Sequence, residues 1–106
     1  MRKAQVKIHN IEAGILQEED NDHYIFLYDS EYEGPPISLT MPVRDKPYEF
    51  KSFPPFFDGL LPEGIQLEGL LKRHKIDKKD YFEQLMVTGQ DLVGAVTLER
   101  IDSIDE

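Results

Sequence analysis

Seven prolines, all between positions 35 and 62, constrain this chain more than any other feature. Proline lacks the amide hydrogen and fixes φ, so such a stretch builds neither a long helix nor a central strand. The same stretch is heavily apolar, with Ile37, Leu39, Met41, Val43, Tyr48, Phe50, Phe53, Phe56 and Phe57 set among the prolines. A flexible linker carries no such load. The pattern predicts short strands around Ser38–Met41 and Tyr48–Lys51, followed by a turn-rich, ordered loop.

The segment before the prolines has strand character. Val6 and Ile8 alternate with Lys7 and His9, a period of two with one dry face. Asn10–Gly14 has turn composition, Ile15 and Leu16 resume an apolar run, and Glu18–Asp22 forms a solvated hairpin tip. That acidic cluster lacks the glycine and distal glutamate of a calcium loop. His23–Tyr28, aromatic and β-branched, is the strongest strand signal in the chain.

Beyond the prolines the period changes to helical. Leu67, Leu70 and Leu71 share one face of a helix that runs from about Glu63 to His74. Glu63 suits its N-terminus, and Lys72, Arg73 and His74 suit its C-terminus. Asp77 is the expected N-cap of a second helix, Lys78 to about Thr88, with Phe82, Leu85 and Met86 facing inward. Gly89 is placed as a left-handed C′ residue, and Gly94–Arg100 as a closing strand. The expected fold class is therefore α+β: a small, mostly antiparallel sheet with two helices packed on one side and a C-terminal strand. Residues 1–100 form one domain and 101–106 an acidic tail.

Composition narrows the function. The 106 residues are 40% hydrophobic, enough for a modest core, and contain no cysteine for a disulfide or thiolate site. Basic residues near Met1 have no apolar run behind them, so no secretory leader is expected, and no run of roughly 18 apolar residues predicts a membrane span. The cytoplasm is the expected location. A formal net charge of −9 disfavours direct nucleic-acid binding. The cations at Lys72-Arg73-His74-Lys75 and Lys78-Lys79 fit a helix end and a solvated loop.

Motifs of chemistry are sparse. Gly89-Gln90-Asp91-Leu92-Val93-Gly94 has the glycine spacing of a phosphate-binding loop without the Lys and Ser/Thr that make one work. His9, His23 and His74 lack metal-ligand spacing, and Ser30, Ser38, Ser52 and Ser103 lack a nucleophile's context. Asp58 and Glu63 are the best acid pair but have no basic or electrophilic companion. No catalytic residue, metal or cofactor is expected. What stands out is Phe53-Pro54-Pro55-Phe56-Phe57-Asp58-Gly59-Leu60-Leu61-Pro62-Glu63-Gly64-Ile65, a proline-stiffened apolar loop that opens a helix. Two readings stay open for it: side chains folded inward as core, or a remnant left free to bind a protein.

The run Phe56–Gly64, then Asp80-Tyr81-Phe82-Glu83-Gln84-Leu85 and Gly89–Leu98, is similar to the N-terminal subdomain of HipA-type toxin kinases. Tyr28-Asp29-Ser30-Glu31-Tyr32 and Ile37–Val43 match the same pattern upstream, so the resemblance covers nearly the whole chain. In those toxins the subdomain precedes a serine/threonine kinase core, whose ATP-binding and catalytic-loop elements this sequence lacks. A separate copy resembles the HipS component of HipB–HipS–HipT toxin–antitoxin systems. The resemblance implies an antitoxin that binds and neutralises a HipT-like kinase acting on an aminoacyl-tRNA synthetase. A HipB-like helix-turn-helix protein would complete a ternary complex and supply any DNA contact. A non-inhibitory subunit completing the kinase is the alternative. The expected partner-binding residues are Phe56, Phe57, Leu60, Leu61, Pro62, Glu63, Gly64, Ile65 and Gln66, with Ile65 as a steric peg and Gly64 permitting close backbone approach.

Overall fold

A computed structural model describes residues 2–20, 23–89, 92 and 95–101. Strands β1 (Lys3–Ile8), β2 (Ile11–Glu18) and β3 (Tyr24–Tyr28) are followed by the short β4 (Tyr48–Phe50). Helices α1 (Pro55–Asp58), α2 (Gly64–His74) and α3 (Tyr81–Thr88) come next, and β5 (Val96–Ile101) closes the order. The five strands form one antiparallel sheet, β4-β3-β2-β1-β5, with first and last strands of the chain side by side. This is the α+β class expected, with a third, four-residue helix that the proline signal hid.

Register explains which face is dry. Ala4 pairs with Leu16 and Leu16 with Phe26, while Val6 pairs with Gly14 and Leu98, so these residues share one face. Phe57 of α1 and Phe82, Leu85 and Met86 of α3 cover that face and are buried with it. The opposite face carries Lys3, Gln5, Lys7, Ile15 and Leu27 and stays open to solvent or half-buried.

Several local details depart from expectation. The first turn is His9–Asn10, both at positive φ (51° and 68°), as a two-residue type I′ hairpin requires. Ile11–Gly14 therefore lies within β2, where Ala13 is an extra residue between the Lys7–Glu12 and Val6–Gly14 pairs. Ser38 and Met41 make only an isolated bridge, because the chain turns back there: the Met41 amide donates to the Ser38 carbonyl at 3.0 Å. The N-cap of α3 is Asp80, whose Oδ1 accepts the Glu83 amide at 3.2 Å. Asp77 instead accepts the Lys79 amide at 2.8 Å and closes a turn ahead of the helix. Gly89 is right-handed (φ −57°). A Cβ there would lie 2.6 Å from the Leu98 carbonyl, so close approach to β5, not a left-handed cap, demands glycine. The left-handed residue is Lys75 (φ 55°), after α2. The glycine-spaced Gly89–Gly94 segment falls largely outside the described residues; of the expected tail 101–106, Ile101 is the last residue of β5 and 102–106 fall outside them.

One charged residue ties the N-terminus to α3. Arg2 donates to both Glu18 carboxylate oxygens at 2.7 and 2.8 Å and reaches Asp80 at 3.0 Å. Its guanidinium also lies 5.1 Å from the centre of the Phe82 ring. Hydrogen bonding to Glu18, and less strongly to Asp80, holds Arg2 charged beyond its ordinary range.

Two glycines give opposite expectations for alanine. A Cβ on Gly14 would sit 2.5 Å from the Leu27 carbonyl and 2.8 Å from the Phe26 ring, whereas one on Gly69 meets nothing within 4 Å. Gly14→Ala should cost about 1–3 kcal/mol through overpacking. Gly69→Ala, inside α2, should stabilise by about 0.5–1 kcal/mol. Urea unfolding midpoints with unchanged slopes would read both.

Candidate partner-binding site

The proline-braced segment is divided by α1. Pro54 is buried and extended, and Pro55 at the first helical position starts the helix where a missing amide hydrogen costs nothing. The turn aims Phe57 at the sheet. Its ring is 0% exposed and lies 6.0 Å from that of Phe26, while Phe56 stands edge-on to it at 5.2 Å and is half-buried. Phe57 therefore has no surface free for a partner. Leu60 and Leu61 are half-buried against the core, and Pro62 is half-buried.

The next four residues, Glu63, Gly64, Ile65 and Gln66, are all exposed. Glu63 is extended (φ −132°) with no side-chain cap, and Gly64 turns the chain into α2 at φ +62°. Nothing lies within 4 Å of where a Gly64 Cβ would stand, so inside this chain the glycine serves its left-handed φ. The result is Ile65 projecting at the head of α2, 86% exposed. Along the helix Leu70 is 5% exposed, with Leu67 and Leu71 half-buried. A groove of about 350 Å³ separates the α2 start from α3, lined by Leu61, Pro62, Glu63, Leu67, Lys79 and Tyr81 among others.

The expected site residues are thus contiguous but unequal: Phe57 lies beneath, Phe56, Leu60, Leu61 and Pro62 form a half-buried shoulder, and Glu63–Gln66 are free. Sequence reasoning missed Leu39, 97% exposed at the tip of the Ser38–Met41 turn. Ser38 was the available signal for that turn, since a serine hydroxyl can accept the amide two residues on; here it accepts that of Thr40 at 3.2 Å. Asp58 and Glu63 are both exposed, which leaves them without the burial that sets acid and base apart. Among the described residues no group of three His, Cys, Asp or Glu is arranged to hold a metal ion, and no helix is long and apolar enough to cross a membrane.

Comparison with known proteins places this geometry. The family model of the HipA N-terminal domain matches residues 4–99. An uncharacterised protein of Haemophilus influenzae is 30% identical over 100 residues, covering 94% of this chain and 93% of its own. A solved structure described as the N-terminal domain of HipA toxin superposes with a TM-score of 0.76 at 28% identity, covering 97% of this chain and 95% of that one. The Shewanella oneidensis MR-1 toxin–antitoxin complex of HipA, HipB and operator DNA gives a TM-score of 0.75 at 22% identity. There this chain is 91% covered but spans only 23% of the matched chain.

Core and free turn should separate by stability. Phe57→Ala should cost about 3–5 kcal/mol as a cavity opens under Phe26. Ile65→Ser should stay within about 0.5 kcal/mol of the parent, since the side chain is already in water. Chemical unfolding of the two variants checks the assignment of one to core and the other to surface.

Proposed function

The chain belongs to the HipA N-terminal domain family, and on that premise we propose that it is a cytoplasmic antitoxin subunit without catalytic activity of its own. Its partner is a HipT-like serine/threonine kinase that targets an aminoacyl-tRNA synthetase, in a tripartite system with a HipB-like DNA-binding protein. The observation that carries the reading is Ile65, 86% exposed at the head of a helix that starts on a left-handed glycine. An aliphatic side chain this exposed is an anchor without a pocket, and seating it in one is worth about 2 kcal/mol. Leu60, Leu61 and Pro62 supply the apolar shoulder, and Glu63 and Gln66 the polar rim. Docked on the kinase N-lobe, the Glu63–Gln66 turn hinders substrate access or an active conformation sterically. The net charge of −9 supports leaving DNA contact to the HipB-like partner.

A second reading, a structural subunit that completes the kinase without inhibiting it, is favoured by one observation: this domain matches only 23% of the HipA chain in the Shewanella complex. The decisive measurement is synthetase phosphorylation by a purified HipT-like kinase, with and without this protein. Wild-type protein at saturation should suppress phosphorylation. Ile65→Asp should weaken suppression by roughly tenfold or more, as losing about 2 kcal/mol of contact requires. Undiminished phosphorylation in a stable complex would favour the structural subunit and remove the antitoxin reading.

A further inference from the structure

A second concavity, of about 530 Å³, lies between the β1–β2 hairpin and the loop that follows β3. Its apolar lining comes from Ile8, Ile11, Tyr32 and Pro35, and Ile11 is 61% exposed where it faces this space. The far wall is preformed. The Asp29 amide donates to the Ala13 carbonyl at 2.7 Å, the Tyr32 amide to the Asp29 carbonyl at 3.0 Å, and the Tyr32 hydroxyl to the Pro35 carbonyl at 2.6 Å. The loop is thereby pinned to β2 and closed on itself, so the groove exists before any ligand arrives.

The rim decides what fits. Glu12, Asp29, Glu31 and Glu33 line the groove with His9, and among the described residues no lysine or arginine does. Glu31 and Glu33 make no ion pair among the described residues. The cation nearest in effect to Glu12, Lys7, is committed to Glu99 at 2.8 Å. An apolar floor rimmed by carboxylates, of which Glu31 and Glu33 pair with no cation among the described residues, suits a side chain with an aliphatic stem and a cationic head. Phosphate-bearing ligands and anionic membranes are repelled by the same rim.

We propose that this groove docks a cationic segment of a different polypeptide, an arginine or lysine laid over Ile11 and Tyr32 with its charge among Glu12, Glu31 and Glu33. A second copy of this chain would have to bring its own basic run, Lys72–Lys75 at the end of α2, into the groove, and sedimentation separates that occupant. The groove is also remote from Ile65. The start of α2 shares its groove with Lys79 and Tyr81, next to Asp80, which meets Arg2 at the first end of β1. The acidic groove lies past Ile8 at the other end, about 17 Å along the strand. Both surfaces are therefore available at once, and the groove's role stands or falls separately from the antitoxin reading.

The probe is the blocked peptide acetyl-Leu-Arg-Lys-Leu-amide, titrated into the isotope-labelled protein and followed by amide chemical shifts. Shifts should concentrate at His9, Ile11, Glu12 and Glu31–Gly34. Affinity should fall at least about threefold at about 0.5 M salt. It should fall at least as far in the combined Glu12→Gln, Glu31→Gln, Glu33→Gln variant, and in Ile11→Ser, with unfolding midpoints unchanged because all four side chains are exposed. Equal binding of acetyl-Leu-Gln-Gln-Leu-amide, shifts spread over carboxylates elsewhere, or full affinity in the triple variant would each overturn the proposal. So would sedimentation showing self-association that the triple variant abolishes, since the occupant would then be a second copy.

Discussion

The inward face of β3 holds the proline-rich half of this molecule onto its sheet, through three alternate aromatic residues. Tyr24 meets Phe53 edge-on at 5.3 Å and stacks over Phe82 at 6.4 Å; Phe26 meets Phe57 at 6.0 Å. Tyr28 stacks with Tyr32 at 6.0 Å, and its hydroxyl donates to the Met41 carbonyl at 2.5 Å while accepting the Ile37 amide at 2.9 Å. Together the three rings recruit four parts of the chain: the loop before α1, α1 itself, α3, and the long β3–β4 connection. Prolines deny that connection a backbone ladder, so ring packing and phenolic hydrogen bonds replace it. Burial accordingly raises the Tyr28 hydroxyl above its ordinary titration range.

The same anchoring leaves the Glu63–Gln66 turn of the candidate site exposed. With Phe57 fixed under α1, the chain leaves the core through Leu60–Pro62, and Gly64 reverses it into α2. Of the α2 residues only Leu70 is then buried. The first turn of α2 stays in solvent, and Ile65 occupies that turn. The isoleucine is outside because its neighbours have taken the interior positions, not because its own chemistry favours water.

Much of the fold was legible in the residues. The alternation of Val6 and Ile8 marked β1, the aromatic run marked β3, and Phe82, Leu85 and Met86 marked the buried face of α3. Where expectation failed, two local signals competed and packing chose. Asp77 and Asp80 are both good caps, and α3 begins at the second because Gln84 donates to the Asp77 and Lys78 carbonyls at 3.3 and 3.0 Å, holding that stretch as a turn. Gly14 looked like punctuation but is a strand residue, required because Phe26 and Leu27 crowd it. Leu39 carried a strand's composition and ended on a turn tip.

Of the candidate site, the sequence alone supplied the proposed location: a stiff apolar loop entering a helix. Periodicity and proline chemistry are local, and local rules settle element type and rough extent. Which of Phe57 and Ile65 is core and which is surface was decided only in three dimensions, because the two differ little in hydrophobicity and it is Phe57 that packs on Phe26 while Ile65 stays in solvent. The acidic groove is likewise tertiary. Glu12 and Glu33 are far apart along the chain and become neighbours only when the hairpin and the β3–β4 loop are pinned together by backbone hydrogen bonds that no residue pattern announces.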